Sequence, residues 1–230
     1  MKFGTQLRNS LNPDWRFHYV DYSRLKKLLK RSLRNGTGTF AEEDETTFSA
    51  ALNRDLKDVR RPVPHRRTCG GSDVPGVFRL SQVWSFQAVK VGEIGRRVQH
   101  CDISVEELIA KGDESPVAWE EIEREINLII SEVNELARYT RLNYSAFVKI
   151  VKKHDKHTQI PLKETFMAKL NEKPFYKENY DSIVLQLSRL YDVVRNRGRP
   201  SDSSAVRRES GTQNFVRRTT KYWVHPDHIM

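Results

Sequence analysis

Apolar positions along this chain recur at steps of three and four, the spacing that lines one face of an α-helix. Lys2–Leu11 is a short amphipathic stretch that Asn12–Pro13 breaks. Asp14 is placed to cap the next helix, and Tyr22–Leu33 then carries Leu25, Leu28, Leu29 and Leu33 with lysines between them. The pair predicts a helical hairpin. Glu42–Val59 continues with Phe48, Leu52 and Leu56 at spacing four, one buried stripe. A helix also fits Ser85–Cys101, although Gly92 and Gly95 weaken it. Pro116–Lys153 is the longest periodic stretch: Ile122, Ile126, Ile129, Val133 and Leu136 alternate steps of four and three, the seam of a helix packed in a bundle. No glycine or proline interrupts it from Val117 to Lys156. A last helix covers Lys177–Arg195, with Ile183, Val184, Leu187, Leu190, Tyr191 and Val194 as its apolar face. Strand signals are nearly absent before the last residues. The expected fold is all-α, an N-terminal helical hairpin plus a bundle of long helices.

Two stretches depart from this pattern. Asn196–Gln213 is rich in Gly, Ser, Arg and Pro and reads as a flexible linker, after which 214–230 turns aromatic and β-branched, as if a further domain were beginning. Arg60–Val83 interrupts what should be one helix with three prolines and three glycines, and supplies +4 of the chain's net charge.

Charge narrows the function. The 230 residues hold 40 basic and 30 acidic side chains, a formal net charge of +10, which predicts an anionic partner such as a nucleic acid, an anionic membrane surface or a phosphate-rich small molecule. Two cysteines, Cys69 and Cys101, make no disulfide framework. There is no apolar run long enough to span a bilayer, and MKFGTQLRNS has no signal-peptide core, so a soluble cytosolic chain is expected, with membrane association only through missing parts or partner subunits.

The most specific feature is FVKIVKKHDKHT, where Lys149, Lys152, Lys153 and Lys156 fall on one strip about two turns long near the C-terminal end of the longest helix. Like charges at this spacing destabilise a helix, while the end of the helix dipole favours them. A solvated helix face is the plain alternative; a visiting polyanion is the functional one. His154 and His157, without carboxylate or cysteine companions, are expected as surface residues and not as metal ligands, and Asp155 as a moderator of the lysines or a turn cap. Trp15, Phe17 and Tyr19 sit beside basic residues, but hairpin core packing is preferred over base stacking. No Gly-rich phosphate loop, nucleophile elbow or carboxylate pair is present, so no catalytic residue is expected.

Three blocks, MKFGTQLRNSLNPDWRFHYVDYSRLKKLLK, LARYTRLNYSAFVKIVKKHDKHT and KPFYKENYDSIVLQLSRLYDVVR, resemble an SPX domain in that family's order and cover most of residues 1–196. The tail QNFVRRTTKYWVHPDHI resembles the join between an SPX domain and the polymerase domain of the fungal vacuolar transporter chaperone complex, most of all its catalytic, polyphosphate-synthesising subunit. The resemblance implies a three-helix-bundle core with an N-terminal hairpin that binds inositol polyphosphates, preferentially pyrophosphates. It implies ligand contacts from Tyr22 and Lys26 of the hairpin and Lys153 of the long helix, a surrounding surface of Lys149, Lys152 and Lys156, and a further contact from Lys2. It implies no cofactor and no catalysis by these residues. The partners it implies are other subunits at the cytosolic face of a vacuolar membrane. The expected organisation is an SPX domain over 1–196, a linker over 197–213 and the start of a polymerase-type domain over 214–230. Arg60–Val83 departs from the family, whose helix is uninterrupted there. It reads as translated intervening sequence or a gene-model error, with a lineage-specific loop as the alternative. Rival readings are the SPX module of a phosphate transporter or glycerophosphodiesterase, and a helical nucleic-acid-binding domain.

Overall fold

A computed structural model describes residues 3–32, 42–53, 81–112, 115–172 and 180–196. Among them lie helices α1 (Phe3–Ser10), α2 (Tyr22–Ser32), α3 (Glu42–Asn53), α4 (Ser81–Lys111), α5 (Pro116–Thr158), α6 (Lys163–Asn171) and α7 (Asp181–Arg195), and no strand. The expected all-α class is what the chain adopts. Lys2, the expected linker, the residues after it and most of Arg60–Val83 lie outside the described residues. Ser81, Gln82 and Val83, read as the end of the insert, are helical and open α4, and Val83 is buried.

The chain divides into two compact units. The first joins residues 1–87 to 142–177, and the second joins 88–141 to 178–230. In the first, Leu7 of α1, Leu25 and Leu29 of α2, Phe48 and Leu52 of α3, Phe147, Ile150 and Val151 of α5, and Phe166 and Leu170 of α6 are buried. In the second, the predicted α5 seam of Ile122, Ile126, Ile129, Val133 and Leu136 is buried throughout. Ile94, Val98, Cys101 and Val105 of α4 and Val184, Leu187, Leu190 and Val194 of α7 are buried there too. Burying each such aliphatic side chain contributes about 1.5–3 kcal/mol, which makes these stripes the main source of stability.

Several boundaries differ from the sequence expectation for identifiable reasons. α4 runs on to Lys111, because Val105 extends the stripe of Ile94, Val98 and Cys101 by one more turn. Gly92 and Gly95 are exposed, on the side away from that stripe, so they weaken the helix without breaking it. The helix stops at Gly112, whose φ of +61° suits a residue without a side chain. The cap of α2 is Asp21, whose Oδ1 accepts the Arg24 N–H at 3.0 Å, and not Asp14, seven residues upstream. α6 was not anticipated from periodicity: it is nine residues long and buries only Phe166 and Leu170.

Across the second unit, Glu132 of α5 accepts from both Lys90 (2.9 Å) and Arg97 (2.5 Å) of α4, and Arg97 also donates to Glu125 at 2.7 Å. The hydrogen bond to Glu125 is the leading reason the Arg97 guanidinium holds its proton more strongly than usual. Burial raises the Cys101 thiol above its ordinary range, so this residue behaves as a small apolar core group.

Candidate functional site

The first unit brings α1, α2 and the end of α5 together. The loop after α1 is tied by the Asn12 N–H, which donates to the Tyr19 hydroxyl at 3.2 Å. The entry to α2 is pinned to α5 by the Val20 N–H, which donates to Oδ1 of buried Asn143 at 2.9 Å. Tyr22, Lys26 and Lys30 then lie at spacing four, one strip along α2.

Tyr22 is 9% exposed, with Phe3 of α1 set edge-on against its ring at 5.0 Å. Burial raises its phenol above the ordinary value, so at neutral pH the hydroxyl keeps its proton and can donate. Lys149 holds its ammonium 4.7 Å above the Phe3 ring, a cation–π contact that draws it toward α1. Lys149, Lys152 and Lys156 are exposed, whereas Lys153 and Lys26 are half-buried.

Lys153 is the electrostatic centre of this surface. Burial first, then the charges of Lys26, Lys30 and Lys156, lower its affinity for a proton. Three of the four influences on it are therefore other lysines, two of them from α2. His157, though exposed, has its affinity for a proton lowered by a partial loss of solvent around its ring and then by the charges of Lys153 and Lys156. Lys30 is a member of the cluster that reading α5 alone missed; its spacing of four from Lys26 was the available signal.

The KKHDK run also corrects one expectation. His157 is exposed, but His154 is not a surface residue: it is 0% exposed. Its ring stacks on Phe48 of α3 at 4.7 Å, its Nε2 lies 2.7 Å from Glu45 Oε2, and its Nδ1 lies 3.1 Å from Asp155 Oδ1. It takes the next place in the buried α5 stripe after Phe147, Ile150 and Val151, which is why it points inward. Asp155 does serve as a cap: it accepts the Leu162 N–H at 3.1 Å and the Lys163 N–H at 3.0 Å, at the start of α6. Trp15 and Tyr19 are core residues as expected, but Phe17 is 58% exposed, beneath the Arg16 guanidinium. Among the described residues no group of three His, Cys, Asp or Glu could hold a metal ion.

The second unit contains a cavity of about 650 Å³ lined by residues that include Arg97, Arg124, Glu107, Glu121 and Glu125. Its carboxylates offset its guanidiniums, so it is a poor receptacle for a polyanion. The lysine surface, with several cations converging from two helices, is the candidate site.

Residues 1–77 and 131–170, which carry both walls of that surface, match the family model of the SPX domain. The chain belongs to the SPX domain family. Over its whole length this SPX chain is 41% identical to subunit 4 of the vacuolar transporter chaperone complex of Schizosaccharomyces pombe. It is 28% identical, again over its whole length, to subunit 2 of that complex in Saccharomyces cerevisiae. It spans 29% and 26% of the lengths of these two relatives. The solved SPX domain of Chaetomium thermophilum glycerophosphodiester phosphodiesterase 1, in complex with inositol hexakisphosphate, has the same fold. It superposes with a TM-score of 0.65 at 23% identity, covering 85% of this chain and 99% of that one.

Proposed function

We propose that this SPX domain is a sensor of inositol polyphosphates, with pyrophosphates as the preferred ligands, and that it regulates polyphosphate synthesis in a complex at the cytosolic face of the vacuolar membrane. The observation that carries the reading is the convergence of Lys26 and Lys30 of α2 with Lys153 and Lys156 of α5, where burial first and then these like charges lower the affinity of Lys153 for a proton. A rigid, highly charged anion reverses every one of those repulsions at once. The solved relative with the same fold holds inositol hexakisphosphate, and the similar curated proteins are subunits of a vacuolar complex, which supports both halves of the reading. Among the described residues no helix is long and apolar enough to cross a membrane, so attachment falls to partner subunits or further chain.

In this reading Tyr22, Lys26, Lys30 and Lys153 contact the phosphates, while Lys149, Lys152 and Lys156 set the field around them, with Lys2 adding a contact from the amino end. Lysine suits the task because its three rotatable donors adapt to crowded phosphates. Each charge-assisted hydrogen bond contributes about 1.5–3 kcal/mol. The domain acts as a binding module: contacts from both α2 and α5 let the ligand bias the hairpin's position, and through it the rest of the chain.

Calorimetry with inositol hexakisphosphate on the intact chain and on Tyr22→Phe, Lys26→Ala and Lys153→Ala tests this. The two lysine variants should lose about 10- to 150-fold in affinity, and Tyr22→Phe about 2- to 10-fold. Equal binding by all four proteins sinks the site. Tight, salt-sensitive binding to duplex DNA without preference for the inositol ligand would instead make this a nucleic-acid-binding domain.

A further inference from the structure

We infer that buried His154 is a positioning residue for the lysine surface, joining α3, α5 and α6 so that Lys153 and Lys156 are held in the binding arrangement before any ligand arrives. The inference rests on the function proposed above and adds residues that make no contact with the ligand.

The ring of His154 has no exposed surface and shares its face with Phe48. A leucine would fill that volume, but it would leave α3 free to slide along α5 and to rotate about its own axis. The imidazole adds a directional tie between the two helices through Nε2, while Nδ1, against the neighbouring Asp155, orients the ring within α5. Nε2 meets Glu45 of α3 at 2.7 Å, and Nδ1 meets Asp155 of α5 itself at 3.1 Å. Hydrogen bonds to charged partners in a water-poor interior are both strong and directional.

Asp155 continues the link. Its Oδ1, which faces the ring, also accepts the Leu162 N–H, and its Oδ2 accepts the Lys163 N–H. Thr158 closes the end of α5 by donating to the His154 carbonyl at 3.0 Å and accepting the Ile160 N–H at 3.2 Å. Gln159, with φ of +62°, then turns the chain toward α6. One chain of close polar contacts therefore runs from α3 through the last turns of α5 into the first turn of α6.

Consecutive helical residues leave the axis about 100° apart, so fixing the direction of His154 fixes that of Lys153 beside it. The last turns of α5 would otherwise be the part most readily distorted by the repulsion among Lys153, Lys156, Lys26 and Lys30. Held in place, the ammonium groups meet the anion without a further ordering cost, which is how preorganisation raises affinity.

The test measures inositol hexakisphosphate affinity by calorimetry on the full chain at 15 °C, with circular dichroism showing each variant folded. The proteins compared are wild type, Lys153→Ala, His154→Phe, Glu45→Ala and Glu45→Gln. His154→Phe keeps the stacked ring and loses the polar contacts of the imidazole; Glu45→Gln keeps an oxygen acceptor facing Nε2, and Glu45→Ala does not. We expect His154→Phe and Glu45→Ala to bind at least tenfold more weakly and Glu45→Gln to stay within about threefold of wild type. A purely structural role would lower the melting temperature while leaving the affinity of the folded protein unchanged, and that result overturns the inference. Should His154→Phe not fold, the Glu45 pair decides: equal affinity for Glu45→Ala and Glu45→Gln overturns it as well. If Lys153→Ala binds like wild type, the site assignment itself fails. If only Lys153→Ala loses affinity, the site stands and the role of His154 falls.

Discussion

Replacing Lys153 with methionine should stabilise the ligand-free protein and impair binding, two effects of opposite sign from one side chain. Methionine keeps most of the aliphatic stem of this half-buried residue, so little packing is lost. What disappears is repulsion from Lys26, Lys30 and Lys156, the charges that oppose protonation of Lys153 after burial itself. Like charges three apart on one helix, as Lys153 and Lys156 are, cost about 0.2–0.5 kcal/mol, and the same order for Lys26 and Lys30 across the helix pair brings the three to about 1 kcal/mol. At this chain length that raises the melting temperature by about 2–4 °C. The gain should shrink in 0.5 M salt, which screens exposed charges. It should also shrink with rising pH. A lysine whose folded-state affinity for a proton is lowered gives up that proton first in the native state. Between its folded value and the ordinary 10.5, the unfolded chain binds more protons, and wild-type stability rises with pH. Above that window Lys153 is neutral in both states and Lys153→Met has no advantage left. Binding moves the other way, with about 10- to 150-fold lost for inositol hexakisphosphate. Thermal melts from pH 7 to 10.5 with and without ligand read all of this. A variant that melts lower than wild type at pH 7 and binds the ligand equally well refutes the reasoning.

Two further outcomes are expected from the same geometry. Asn143→Ala removes the side-chain acceptor of the Val20 N–H and leaves a buried donor unpaired, which should destabilise the protein by about 1–3 kcal/mol in urea titrations and weaken ligand binding, because the entry to α2 is released. His157, which partial desolvation and the charges of Lys153 and Lys156 make reluctant to accept a proton, should regain that proton when an anion covers its neighbours. The ratio of wild-type to His157→Gln affinity should therefore grow as pH falls from 7.5 to 5.5, a ratio that cancels the ligand's own titration; a flat ratio removes His157 from the site.

The helices were legible where a single buried stripe persisted for several turns. The α5 seam from Ile122 to Leu136 was readable residue by residue, since every fourth or third position is apolar and nothing breaks it. α4 was read short at both ends, as Ser85–Cys101 against Ser81–Lys111; the two glycines that weakened the reading lie inside that span, are exposed, and are overridden by the packing of Val98, Cys101 and Val105. α6 left almost no periodic signal: two buried residues in nine do not define a face, and what starts that helix is a carboxylate seven residues upstream of its cap, Asp155. The cap of α2 was misplaced for a related reason, since a run with several Asx residues offers more than one start and only packing selects Asp21.

Helical spacing alone reached the lysine strip of α5, while Tyr22 and Lys26 across the hairpin came in only through the resemblance to the SPX family. Spacing alone put Lys149, Lys152, Lys153 and Lys156 together, and the structure keeps them so. It could not show that Lys30 on α2 comes to bear on Lys153, because that depends on how the hairpin docks, which Asn143 helps to fix from more than a hundred residues away. His154 shows the limit most clearly. Surrounded by lysines and an aspartate, it looks solvated when the chain is read by composition. Read by angle, it stands in line with Phe147 and Ile150, on the inner face of the same helix. The two readings differ because composition averages around the helix whereas burial depends on direction. A polar residue that continues a buried stripe must find partners on the facing element. In this chain that partner is Glu45, and the pairing ties the helix carrying the lysines to the core beneath them.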